Sequence, residues 1–226
     1  MATIWLALFS FDAEAAADKS LEVAPTTLEL KPGEAGLLYV ANHSAAPVTV
    51  QIDIYDWSQP NGTDRLTLSD TAFVSPPFTT IAPGERQIVR VLAQPATRDR
   101  ETAYRIRVSE LPDARAKSDG VQILLQFSVP AFVSAGKSNS AIAWTAITRD
   151  GALELDAQNT GVRTAKLAGL HISSPGAKDI GFGNVSYILP GATRTWEIAA
   201  PQSAGPLRID GTDERSGKPI SADIAR

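Results

Sequence analysis

The residue types that could carry covalent or acid–base chemistry are sparse and poorly placed in this chain. It has no cysteine, which removes disulfides, thiolate nucleophiles and cysteine metal sites. Its two histidines, His43 and His171, stand far apart, outside any spacing that would set two imidazoles around one metal. Asp53 and Asp56 are close in sequence, but an odd spacing within a strand sends side chains to opposite faces. No Gly-x-Ser-x-Gly elbow occurs, and the glycines at Gly181 and Gly183 lack the strand-to-helix setting of a nucleotide loop. Nor is there a clear carboxylate pair of the kind a glycan-acting enzyme places across a cleft. The expectation is a protein without catalytic residues, cofactor or metal.

Backbone chemistry is more prominent. Val121-Gln-Ile-Leu-Leu-Gln-Phe-Ser-Val-Pro-Ala-Phe-Val133 contains no charged side chain and is apolar at alternate positions. At a sheet edge such a run would recruit other chains through its unpaired N–H and C=O groups, and natural edges are normally blunted with Lys, Pro or bulges. Here nothing blunts it before Pro130. Either this strand is central in its sheet, or it is there to be lent to a partner.

The elements that must position that strand read as β structure. Thr, Val, Ile and Ser dominate, Pro and Gly recur as punctuation, and few stretches show a 3.6-residue apolar period. Leu30-Lys-Pro-Gly33, Ile81-Ala-Pro-Gly84 and Ile188-Leu-Pro-Gly191 predict turns in which Pro fixes φ and Gly supplies φ > 0. Strands are expected over Leu37 to Val40, Val48 to Tyr55, Gln87 to Leu92 and Tyr104 to Val108, then from Val121, the spacing of a seven-stranded sandwich. A second set begins at Ala141 and includes Leu153 to Ala157, Ala165 to Ile172, Thr195 to Ala199 and Leu207 to Asp210. The 226 residues suffice for two such units, with a boundary near Ser134: an N-terminal domain over 18–134 and a C-terminal domain over 135–226. Residues 1–17 resemble the end of a secretory signal, an apolar block Ile4 to Phe11 followed by small residues, with cleavage near Ala15 or Ala17. The net charge of −4 offers no basic face to nucleic acid, and no later run approaches the ~20 apolar residues of a membrane span.

Several short motifs, in order and at consistent spacing, carry a family resemblance: Thr26-Thr-Leu with the following Pro-Gly turn, Val40-Ala-Asn42, Ser75-Pro-Pro-Phe78, Ile81 through Val91, Tyr104-Arg-Ile-Arg-Val-Ser-Glu-Leu-Pro112 and Val121 through Gln126. Asn159-Thr-Gly161, Leu189-Pro-Gly191 and Thr212 through Pro219 extend the pattern. The chain resembles the periplasmic chaperones of the chaperone-usher pathway, and more the divergent, archaic-type branch. That resemblance implies an all-β protein of two immunoglobulin-like β-sandwich domains in an L-shaped arrangement. It also implies a chaperone that binds, folds and caps pilin subunits by donor-strand complementation and delivers them to an outer-membrane usher.

Under the resemblance the donated side chains are Val121, Ile123, Leu125 and Phe127, with Leu124 facing the chaperone's own core. Burying four large apolar side chains is worth roughly 6–12 kcal/mol gross, reduced by ordering costs. The family's cations for the subunit's terminal carboxylate fall on Thr27 and Pro130, which carry no charge. Arg107 first, then Arg105, are the expected replacements, since they alternate with Tyr104, Ile106 and Val108 on the face opposite the core. The resemblance further places an interdomain ion-pair network on Arg90, Glu101 and Asp213. An unloaded chain is expected to cover its edge by self-association or loop collapse. The rival from another class is a two-domain sandwich scaffold or adhesin that keeps Val121 to Phe127 buried within itself.

Overall fold

The three Pro-Gly segments form the turns that their sequence predicts. Glu34, Glu85 and Ala192 each donate a backbone N–H to the carbonyl three residues earlier, at 3.1, 3.1 and 3.0 Å. Gly33, Gly84 and Gly191 sit at φ of 76°, 73° and 82°, the left-handed region that a type II turn requires at its third position. In this computed structural model the described residues are 21–94, 99–113, 123–134, 139–150, 152–199 and 205–224; the expected leader over 1–17 and Val121 lie outside them.

The first ten strands are β1 (Leu21–Ala24), β2 (Leu28–Leu30), β3 (Gly36–Asn42), β4 (Val48–Ser58), β5 (Arg65–Leu68), β6 (Ala72–Ser75), β7 (Phe78–Ile81), β8 (Arg86–Ala93), β9 (Thr102–Glu110) and β10 (Gln126–Val133). They make one sheet in the order β1-β3-β8-β6 and a second in the order β2-β10-β9-β4-β5, with β7 also on β4. Alternation drives the pairing of the layers. Val48, Val50, Ile52 and Ile54 of β4, with Ile106 and Val108 beside them on β9, point inward to the core shared with Leu38, Val40, Val89 and Val91 of the other sheet, and the intervening residues point out. Asp53 takes an outward position and Asp56 an inward one, where its carboxylate accepts a bond from the Ser69 hydroxyl at 2.7 Å.

The remaining strands are β11 (Ile142–Arg149), β12 (Ala152–Asn159), β13 (Ala165–Ser173), β14 (Ile180–Gly181), β15 (Ser186–Ile188), β16 (Thr193–Ala199), β17 (Leu207–Asp213) and β18 (Lys218–Ile224). They form a sheet β11-β12-β16 facing a sheet β14-β13-β17-β18, with β15 also on β13. Leu153, Leu155, Leu167, Ile172, Leu207 and Ile209 fill the space between them. Helical structure among the described residues is confined to one turn at Pro60–Gly62, so the chain is all-β and built as two sandwiches.

Each sandwich contains the same corner. Asn42, at the end of β3, is wholly buried; its amide donates to the carbonyls of Ala46 and Ile81, and its Oδ1 accepts from the N–H and hydroxyl of Ser44. Asn159, at the end of β12, donates to Arg163 and Ile188 and accepts from the N–H groups of Ala141 and Gly161. In both cases the Asn backbone carbonyl accepts from the glycine of a Pro-Gly turn, Gly84 or Gly191, at 2.8 Å.

Candidate functional site

β10 is covered on one side along its whole length and on the other only at its end. β9 pairs with it from Gln126 to Val133. β2 runs parallel to it and pairs only with Ala131, Phe132 and Val133. Among the described residues no strand takes the second side of Gln126 to Pro130, so the strand is neither wholly central nor wholly an edge. The Glu110 N–H donates to the Leu125 carbonyl at 2.8 Å, which assigns Leu125 and, by the two-residue period, Phe127, Val129, Ala131 and Val133 to the β9 side. The groups aimed at the open side are then those of Gln126 and Ser128 and the carbonyl of Pro130, whose ring has no N–H to offer.

The expected strand from Val121 is shorter than its sequence suggests. The Leu125 N–H turns to the Glu110 carboxylate at 3.1 Å instead of a backbone carbonyl, and regular pairing starts one residue later. Ile123 is 73 % exposed and Leu124 39 %. Leu125 and Phe127 are half-buried against the core of their own sandwich. Leu124, expected to face that core, is therefore on the wrong side of the alternation, and Leu125 takes the place.

Arg105 and Arg107 share the outer face of the same sheet. Arg105 lies in register between Tyr55 on β4 and Pro130 on β10. Its guanidinium stacks 3.9 Å from the Trp57 ring centroid and 5.2 Å from that of Tyr187, a residue of the second sandwich. Burial pushes it below the ordinary arginine value, opposed by Tyr187 and Asp64, although a guanidinium remains protonated under any working condition. Arg107 sits one row out, between Asp53 and Ser128, over the Tyr55 ring at 4.3 Å. Neither forms an ion pair with a described residue. Thr27 is half-buried and Pro130 buried.

Where the sandwiches meet, the ion pairs are dense. The Glu101 side chain is fully buried and accepts hydrogen bonds from Nη1 and Nη2 of Arg215, at 2.6 and 3.0 Å, and from the Thr164 N–H and the Ser134 hydroxyl, each at 2.9 Å. Burial acts to raise its carboxyl, and the bonds from Arg215 and Thr164 outweigh that and hold it below the usual range. Arg215 also meets Glu29 of β2 at 2.6 Å, and Arg163 approaches Glu29 and Glu101 at 3.6 and 3.7 Å. Asp213 shapes the turn that presents Arg215: it accepts from the N–H groups of Lys166 and Arg215 and from the hydroxyls of Ser140 and Ser216. These bonds prevail over burial and keep its carboxyl low.

Arg90 does not join this network. It is exposed on β8, opposite Leu37 and Ser75, in the sheet that does not carry Glu101. The arginine that holds Glu101 is Arg215, two residues beyond Asp213 inside the motif Thr212 to Pro219, where its position in a hairpin turn gave no sign of its partner. Sequence reasoning also missed the apolar and amide parts of the junction. Trp57, Ala103 and Phe132 pack on Leu189, Tyr187 and Ala192, and Gln59 donates to the Tyr187 carbonyl at 2.9 Å while accepting the Leu189 N–H at 2.8 Å. The signal available in the sequence is a large aromatic, Trp57, at an outward position of the β4 alternation. His43 pairs with Glu22 at 2.8 Å and His171 contacts the Gly169 carbonyl at 3.2 Å, both on the surface.

No curated protein sequence matches the chain. Solved structures do, and each shows a similar fold. A chain of the CsuC-CsuE chaperone-tip adhesion subunit pre-assembly complex, from archaic chaperone-usher Csu pili of Acinetobacter baumannii, is 20% identical with a TM-score of 0.71, over 91% of this chain and 98% of that one. The E. coli chaperone DraB is 20% identical with a TM-score of 0.66, over 92% and 97%. A chain of the Salmonella enterica complex of SafA pilin with the SafB chaperone is 15% identical with a TM-score of 0.66, over 92% and 98%. Among the described residues no helix is long and apolar enough to cross a membrane. The family model for the N-terminal domain of PapD, the pili and flagellar-assembly chaperone, matches residues 20–135, more than half of the sequence, and the chain belongs to that family.

Proposed function

We propose that this chaperone acts in the periplasm by lending β10 to pilin subunits whose own sandwich lacks a strand. The observation that carries the reading is the half-open side of β10, where among the described residues no strand faces the backbone groups of Gln126 and Ser128 while Ile123 and Leu124 stand exposed beside them. An added strand would take the ladder from this edge, and alternate apolar side chains would fill its groove. Ile123 is the most available of these; Val121 would extend the set outward, and Leu125 and Phe127 would divide their surface between the two cores. Delivery to an outer-membrane usher, and self-association of the unloaded edge, complete the proposal. The first domain would run to about Ser134, and the second would follow from there.

For the subunit's terminal carboxylate, Arg105 takes first place ahead of Arg107. It lies next to Pro130, where the family's cation is missing, and it is a half-buried guanidinium without an ion-pair partner among the described residues. A charge-assisted bond there is worth about 1.5–3 kcal/mol, less than the apolar part, so it sets register more than strength. The test is periplasmic co-expression with candidate pilins from the same operon, comparing wild type with Ile123→Asp. Recovery of a one-to-one complex in the wild type, and its loss in a variant of unchanged melting temperature, is the expected result. Equal recovery from both would overturn strand lending.

A further inference from the structure

The end of β10 that is closed depends on a very short strand. β2 spans only Leu28 to Leu30. Its inner face is held by Leu28 and Leu30, both buried, which lean over Gly36 of β3, where a Cβ would run into both leucines. Its outer face carries Glu29, and the partners of Glu29 belong to the other sandwich: Arg215 at 2.6 Å and Arg163 at 3.6 Å. On its open side β10 and the residue that follows it show five consecutive even positions with different fates. Gln126 and Ser128 meet no strand on this side among the described residues, Pro130 has no donor, and Phe132 and Ser134 turn to β2, with the Ser134 N–H donating to the Leu30 carbonyl at 3.3 Å. The boundary between open and closed edge is thus Pro130, and the closed part lasts only while β2 stays down.

We infer that Glu29 is a latch through which the second sandwich sets the length of the open edge on β10. Three residues of parallel pairing make a weak ladder by themselves. Glu29 is 49 % exposed at its side chain, so its ion pairs add little to global stability but bear directly on a strand whose local opening requires them to break. Releasing Glu29 lets β2 lift and extends the available edge past Pro130 towards Ser134. For a bound strand this would remove the stop that fixes its register, a consequence that rests on the strand-lending reading; the latch itself does not.

The experiment is site-resolved amide hydrogen exchange on the full unloaded chain, for wild type, Glu29→Gln and Arg163→Gln. The expected result in Glu29→Gln is a roughly threefold to tenfold faster exchange at Phe132 and Ser134, with Val129 and Ala131, which face β9, unchanged. Arg163→Gln should give a smaller rise at the same two amides, which a purely local effect of the Glu29 side chain would not. Unchanged exchange at Phe132 and Ser134 in both variants overturns the latch, and so does an equal rise over β3 and β8, which would make Glu29 an ordinary contributor to stability. Because no subunit is present, failure here is distinct from failure of the co-expression test.

Discussion

β18, the last strand of the second sandwich, lies at the margin of its sheet and is paired with β17 from Lys218 to Ile224. It carries Lys218, Pro219 and Asp223, and Arg208 reaches across from β17 to Asp223 at 3.3 Å. β10, the last strand of the first sandwich, has one side that no strand covers from Gln126 to Pro130 among the described residues, and no charge in that stretch. Both sandwiches are built on the same asparagine corner, so the architecture supplies comparable margins to each. Under the proposed strand lending, side chains decide which margin accepts another strand: charge and Pro219 close β18, whereas Gln126 to Val129 of β10 carry neither.

The two sandwiches hold each other through Glu101 and Arg215, and the largest expected effect comes from breaking that hold. Glu101→Gln removes the charge of one partner in a buried, bidentate pair and leaves Arg215 with the half-exposed Glu29 as its remaining carboxylate among the described residues, at an expected cost of about 3–5 kcal/mol, read as a lowered unfolding midpoint in calorimetry. Arg90→Ala, on an exposed strand position away from the junction, should stay within about 0.5 kcal/mol. Acid should act like the first variant. Glu101 and Asp213 have folded values held below the ordinary carboxylate range, so their stabilisation is present above the unfolded values and is lost as pH falls through the folded ones. The junction should therefore persist at mildly acidic pH and separate only on stronger acidification, with tryptophan fluorescence of Trp57 as the reporter. A junction that opens near neutral pH would contradict this.

A smaller effect separates what the sandwiches share. Asn42→Ala and Asn159→Ala each leave buried backbone groups without partners, and each should cost about 1–3 kcal/mol. If the corners are equivalent, exchange will quicken around β3 and β8 in the first variant and around β12 and β16 in the second. A first variant that loosens both sandwiches alike would show that the corner serves the junction as well.

Much of this was legible in the sequence, and the remainder has physical reasons for being hidden. Alternation over Val48 to Ile54 and the three Pro-Gly turns are local signals, and the corresponding strands and turns follow directly from them. The apolar run after Val121 announced an unusual strand, but its covering by β2 depends on a parallel pairing between residues about a hundred apart, which no local pattern encodes. Leu124 lies off the core because the register of β10 on β9 turns the odd-numbered residues Leu125, Phe127 and Val129 inward, and a pairing register is not a local signal. Ion-pair partners across two sandwiches leave no spacing to read, so Arg215 is hidden from the sequence; of the three residues the resemblance indicates, Glu101 lies in the network, Asp213 acts within the second sandwich through the turn that presents Arg215, and Arg90 lies elsewhere.

The smallest expected effect on stability is the most direct test of the difference between β10 and β18, because it exchanges their edge chemistry without touching either core. Gln126→Lys places a charge on the open side of β10 at an exposed position. Lys218→Val combined with Asp223→Val strips the charges from β18. Both should change stability by no more than about 0.5 kcal/mol, since exposed ion pairs such as Arg208 with Asp223 contribute little. Association should move in opposite directions: analytical ultracentrifugation of the unloaded chain is expected to show less self-association for Gln126→Lys and more for the β18 variant. If β18 without its charges stays monomeric, its full pairing with β17 and Pro219 are sufficient protection, and charge is not what distinguishes the two edges. If Gln126→Lys leaves self-association unchanged, the wild-type contact does not run through β10, and the open side of that strand is covered in solution by some other part of the chain.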